Sequence, residues 1–189
     1  LSAVRRSLFS GETERTEFLH TIMGGIYKIM LSKKGLDEEE NYHEFCRLLG
    51  RLKASYQLSE LVKTPRFSEW LKLAADFTII SFRGWENCMN SIHYLLALWG
   101  RMVAALPYLR SDSDEQQAVN LRECVLQVTN SFIQTMVLDS TQAFANGSAD
   151  DPMDDEGSLR EIMDRLPSIA RLHYSSVATG LCSLWQENL

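Results

Sequence analysis

The chain has 189 residues, 45% of them hydrophobic and 23% charged, with 10 glycines and 4 prolines. This is an ordinary globular mixture, which excludes wholesale disorder and leaves room for one sizeable domain or a few repeat units. The net charge of −6, from 25 acidic and 19 basic residues, argues against a broad electrostatic footprint for phosphate backbones, so nucleic acid is not expected as a partner.

Leu1, Val4, Leu8 and Phe9 already form an apolar helical pattern. Nothing there resembles the three regions of a secretory signal, and the abrupt start reads as a fragment of something longer. No apolar stretch approaches the ~20 residues that span a bilayer, so membrane insertion is not expected. Cys46, Cys88, Cys124 and Cys182 form no CxxC pair. Each lies in an apolar helical pattern, which predicts buried, reduced thiols and a reducing compartment. Asn146, Gly147 and Ser148 form a glycosylation sequon that reads as an unused turn.

In chain order, Glu12 to Leu31 places Phe18, Leu19, Ile22, Met23, Ile26, Ile29 and Met30 at the 3.6-residue period of an amphipathic helix. The lysines and glycine of Ser32 to Gly35 end it. Asp37 to Glu40 opens a second helix, where carboxylates favour the positive end of the macrodipole. Its core face is Tyr42, Phe45, Leu48, Leu49 and Leu52, running on to Tyr56. A short segment with Leu58, Leu61 and Val62 leads to Thr64 and Pro65, which read as an N-cap and an N1 proline. The third helix, from Pro65 to Phe82, turns Phe67, Trp70, Leu71, Ala74, Phe77 and Ile80 inward. The fourth runs from Asn90 to Leu106 and stops at Pro107.

After a polar turn from Ser111 to Glu115, Val119, Val125, Val128, Phe132, Met136 and Val137 mark one long helix or two. Asn146 to Glu156 is a small, polar, acidic loop. The last pattern, Gly157 to Asn188, is interrupted by Pro167, which ends or kinks a helix near Leu166. No segment alternates with period two beside turn chemistry, so the chain reads as all-α.

Sliding the chain along itself by fifty residues aligns Asn41 to Ala54 with Ser91 to Ala104. His43 and His93, Leu48 and Leu98, Gly50 and Gly100, Arg51 and Arg101, and Ala54 and Ala104 are identical. Tyr42/Ile92, Phe45/Leu95, Cys46/Leu96, Leu49/Trp99 and Leu52/Met102 keep apolar character. Each of these helices follows another amphipathic helix at matching distance. The expected architecture is therefore an α-solenoid of HEAT-like antiparallel helix pairs. Its units are a preceding repeat's end at 1–9, repeats at 12–56 and 65–107, and a less regular portion at 115–189 with an acidic loop at 148–156. Gly50 and Gly100 each cost about 1 kcal/mol inside a helix, which suits positions of close helix approach. Arg51 and Arg101 suit hydrogen bonds between repeats or a concave binding surface, and His43 and His93 suit packing or hydrogen bonding.

The block Asn41-Tyr-His-Glu-Phe-Cys-Arg-Leu-Leu-Gly-Arg-Leu-Lys53, continuing from Tyr56 to Val62, closely resembles the exportin-7 (Ran-binding protein 16/17) branch of the importin-β superfamily. Leu1 to Phe9, Ser91 to Trp99, Val103 to Leu109 and the acidic Asp151 to Asp155 are similar to that branch in the same order. The resemblance implies an interior piece of a karyopherin. Such receptors bind protein cargo, Ran in its GTP form and FG-nucleoporins, and they shuttle between nucleus and cytoplasm. The alternative from another class is a HEAT scaffold subunit holding a stable complex together.

Chemistry beyond binding is not expected. His20, His43, His93 and His173 have no HExxH partner or cysteine pair, so no metal is predicted, and no cofactor. Gly24 and Gly25 lack the spacing of a phosphate loop and read as a kink or a tight contact in the first helix. No catalytic constellation declares itself. The acidic cluster stands out: Asp150, Asp151, Asp154, Asp155 and Glu156 form either a solvated loop or an electrostatic contact for a basic surface on Ran or cargo.

Overall fold

A computed structural model describes residues 4, 6–84, 88–109, 114–145, 160 and 163–187, with 6, 138–145, 185 and 187 described for the main chain only. The regular elements among the described residues are all helices, with no strand. α1 spans Glu12–Ser32, α2 Glu39–Ser55, α3 Leu58–Leu61, α4 Phe67–Phe82 and α5 Met89–Ala105. α6 spans Glu115–Ala145, α7 Leu166–Ala170 and α8 Tyr174–Glu187. Short 3-10 turns occupy Arg6–Leu8 and Leu106–Tyr108.

Two rows of helices build the molecule. The start of α1 lies against the end of α2, because Arg15 reaches the Ser55 carbonyl at 3.1 Å and Glu60 at 3.0 Å. Those two helices therefore run antiparallel. In the next pair the Trp99 indole N–H of α5 donates to the Thr78 hydroxyl of α4 at 3.0 Å. Pairs then stack on pairs. In the first row Tyr27 of α1 meets Glu69 of α4 at 3.1 Å, Ser68 meets Gln117 of α6 at 2.7 Å, and the Phe82 and Phe132 rings lie 5.4 Å apart. In the second row His43 of α2 meets Ser91 of α5, and further along Arg101 meets Gly50. The two contacts between α4 and α6 ascend together, as do those between α2 and α5, so each of these neighbouring pairs runs parallel. This is the all-α solenoid of paired helices.

The apolar core is continuous from Leu19 in α1 to Ile169 in α7. Trp70 and Trp99 are 1% and 0% exposed; a fully buried large apolar side chain contributes about 1.5–3 kcal/mol. Ile133, Ala170 and Val177 form a smaller cluster joining α6, α7 and α8.

Helix ends depart from the sequence expectation at one point. α4 begins at Phe67, its N-cap Arg66 holds φ 60°, and Pro65 lies before the helix rather than at its first turn. Thr64 instead donates its hydroxyl to the Leu61 carbonyl at 2.7 Å, closing the turn after α3. α1 ends on Lys33 at φ 53°, whose N–H reaches Ile29 at 2.8 Å. The stretch from 115 to 145 is one helix, not two. Pro167 falls in the first turn of α7, where its missing N–H has no helical partner to lose.

Several residues expected inward are not. Ile80 is 47% exposed and Val119 39% exposed, while Leu48 and Phe77 are half-buried. Thr78, Ser81 and Phe82 take the inward places at the end of α4. A helix in a stack is covered on two sides by different neighbours, so its apolar stripe is wider than, and rotated from, a single-core pattern. The cysteines also divide: Cys46 and Cys124 are buried, Cys88 is intermediate and Cys182 is exposed. Gly24 and Gly25 face open space, with nothing within 4 Å of where a Cβ would stand, and so mark no tight contact.

Candidate functional site

The repeated residues gather on the second row. α2 and α5 are brought together at Gly50: a Cβ there would lie 2.8 Å from the Tyr94 carbonyl oxygen and 3.1 Å from its Cβ. Real Cβ atoms do not approach main chain so closely, and only glycine allows this spacing. Arg101, on the other flank of that contact, donates to the Gly50 carbonyl. One turn from the helix start, His43 Nδ1 lies 3.1 Å from the Ser91 hydroxyl, and its ring meets Tyr94 edge-on at 5.7 Å.

The contact is repeated one step along. A Cβ on Gly100 would lie 2.9 Å from the Ser168 hydroxyl of α7. The guanidinium of Arg165 donates to His93 Nε2 at 3.3 Å, and Arg171 donates to the Val103 carbonyl at 3.2 Å. Thus His43, Gly50, His93, Gly100 and Arg101 all lie at junctions between neighbouring helices of one row. Arg51 does not: it is exposed on α2. Asp150, Asp151, Asp154, Asp155 and Glu156 lie outside the described residues.

Two junctions escaped sequence reasoning. Arg15 is 7% exposed, paired with Glu60 at 3.0 Å and stacked over the Tyr56 ring at 4.5 Å. Glu60 also accepts from the Gln57 N–H at 2.6 Å, so one carboxylate both caps α3 and holds α1. The signal was an arginine standing one turn before Leu19 and two before Ile22 on the apolar stripe. The other is the buried pair of Thr78 and Trp99, signalled by a threonine on the inward face of α4.

Two open clefts flank the second row. One, of about 450 Å³, is bordered by Leu36, Tyr42, Phe77, Ile80 and Cys88. The Cys88 thiol donates to the Gly84 carbonyl at 3.1 Å, and burial raises its pKa. A thiol held protonated is not poised as a nucleophile. The other, of about 340 Å³, is bordered by Lys53, Gln57, Leu58 and Tyr108. Burial first, and the charge of Arg101 second, pull the Lys53 pKa down. Among the described residues no three His, Cys, Asp or Glu side chains gather where they would hold a metal ion, and no helix is long and apolar enough to cross a membrane. What the geometry provides is a fixed, repeated helix spacing and the two faces it displays.

The comparisons with known proteins give that scaffold a lineage. The family described as "Exportin-7-like, TPR domain" matches residues 140–189. Exportin-7-B of Xenopus laevis is 37% identical over 188 residues, 100% of this chain and 17% of that protein. Ran-binding protein 17 of Homo sapiens is 38% identical over 187 residues, and Ran-binding protein 16 of Drosophila melanogaster 39% identical over 181. These cover 99% and 96% of this chain and 17% and 16% of those proteins. No solved structure gives a significant match. From end to end the chain is a segment of the exportin-7 and Ran-binding protein 16/17 type, spanning about a sixth of the curated relatives it matches.

Proposed function

We propose that this exportin-7-type segment is one stretch of a nuclear transport receptor. In this reading the whole protein binds protein cargo and Ran in its GTP form, contacts FG-nucleoporins, and shuttles between nucleus and cytoplasm. The segment contributes a stretch of the helical array with the repeat division 12–56, 65–107 and 115–189. It works by binding, not catalysis. The observation that carries the reading is the end-to-end similarity to proteins named for export and for Ran binding. The stacked rows support it physically: an array joined by neighbour contacts presents long surfaces suited to macromolecules.

The acidic run Asp150, Asp151, Asp154, Asp155 and Glu156 is proposed to meet a basic surface on Ran or cargo. Its support is the local density of carboxylates, which raises encounter rates within the ~8 Å Debye length of physiological salt.

Photobleaching the nuclear pool of the fluorescent full-length protein tests the reading in cells. A shuttling receptor refills the nucleus from the cytoplasm within minutes. A pool that does not recover, with constant subunits co-purifying, identifies a static scaffold instead.

A further inference from the structure

On α5, Gly100 and Arg101 face opposite neighbours. Gly100 lies against Ser168 of α7, while Arg101 reaches back to the Gly50 carbonyl of α2. Arg101 belongs to a stripe of residues three or four apart, Ser91, Tyr94, Leu98 and Arg101, that forms one helix face. Ser91, Tyr94 and Arg101 all make contacts with α2, and Ser91 and Leu98 are 3% and 0% exposed.

Fifty residues earlier the same positions on α2 are Asn41, Glu44, Leu48 and Arg51. Here the stripe is uncovered: Asn41, Glu44 and Arg51 are exposed, and Leu48 is half-buried. α2 therefore shows the accepting side of the junction to α5 and carries the donating side on its other flank. The Glu44 carboxylate, which stands where Tyr94 does, is already paired with Arg47 at 2.8 Å. Glu44 would therefore not bring an unpaired carboxylate into a contact.

We propose that this face receives a further second-row helix of the same array, supplied by the longer protein and lying parallel to α2. That helix carries a glycine opposite Glu44, as Gly50 stands opposite Tyr94, and places a main-chain carbonyl within reach of the Arg51 guanidinium. The occupant is specified by continuity with the contact between α2 and α5. Chain to supply it exists, because this segment spans only 17% of its relatives. The proposal rests on the stacking geometry and is independent of what the array transports.

The test uses the free full-length protein and phenylglyoxal, which modifies arginines, read by mass spectrometry. Arg83, exposed beyond the end of α4, is the reference. Arg51 is expected to react about tenfold more slowly than Arg83, as a guanidinium held by a charge-assisted hydrogen bond should. Leu48→Glu should raise the Arg51 rate towards that of Arg83 and speed amide exchange in α2. Arg51→Lys, which keeps a donor, should leave the exchange of α2 nearly unchanged. An Arg51 as reactive as Arg83 in the free protein overturns the proposal. So does protection that arises only when a protein ligand is added, which would make the face an intermolecular surface.

Discussion

The Arg101 guanidinium donates to the main-chain carbonyl of Gly50, fifty-one residues earlier in the chain. The same glycine allows Tyr94 to approach, so two contacts converge on one residue without a side chain. Replacing Arg101 by Gln should loosen the junction of α2 with α5 and cost about 1 kcal/mol, the lower range for a charged donor because the site is partly exposed. Thermal denaturation measures the loss, and amide exchange should localise it to α2 and α5.

Gly50, Gly100 and Gly24, helix-internal glycines of contrasting surroundings, predict an order. Gly50→Ala should destabilise by about 1–3 kcal/mol, because its Cβ meets main chain that cannot yield without moving a helix. Gly100→Ala should cost less, because the obstructing atom is the Ser168 hydroxyl, which can rotate away. Gly24→Ala should stabilise by about 1 kcal/mol through helix propensity, since its Cβ enters open space. Urea titrations of the three variants check the order; a stabilised Gly50→Ala would contradict the junction.

The pair of Thr78 and Trp99 is closed to water, both residues being 0% exposed. Thr78→Val removes the acceptor while keeping the shape, so the indole N–H is orphaned at a cost of about 1–3 kcal/mol. In the Trp99→Phe background the same change should cost much less. A double-mutant cycle with coupling near zero would show that the hydrogen bond contributes nothing.

Glu60→Gln tests the tie between α1 and α3. It leaves the Arg15 charge buried with a neutral partner, while the Ser55 carbonyl and the Tyr56 ring remain. Glu60 is 30% exposed, so water softens the effect. A loss of about 1–2 kcal/mol is expected, with Arg15→Met partly restoring stability in the double variant.

Thiol reactivity should follow burial. Burial pushes the Cys46 pKa up to about 12 and that of Cys124 up to about 11. Both should resist iodoacetamide at neutral pH until the protein unfolds, whereas exposed Cys182 should react at once. Peptide mapping after brief alkylation distinguishes them.

Much of the fold was legible because helix period and repeat period are both imprinted by packing. His43 and His93, or Gly50 and Gly100, recur because each stands at the same position of a junction in the second row, although the groups they meet differ. What the pattern could not show is which neighbour covers which flank. Leu48 and Leu98 are the same residue in the same register, yet one is half-buried and the other 0% exposed. Ile80 and Val119 look inward by periodicity but border open faces of the rows. The left-handed Arg66 was hidden behind a Thr-Pro signal that usually opens a helix. Arg15 and Glu60 were missed because two charges forty-five residues apart have no local signature.

Titrating the full-length protein with Ran, loaded in turn with a non-hydrolysable GTP analogue and with GDP, tests the receptor reading most directly. The account predicts saturable binding to the GTP form and far weaker binding to the GDP form. Asn in place of Asp150, Asp151, Asp154 and Asp155 should leave the nucleotide preference intact and, if the loop meets Ran, flatten the salt dependence. Equal affinity for the two forms, or no binding to either, would contradict it.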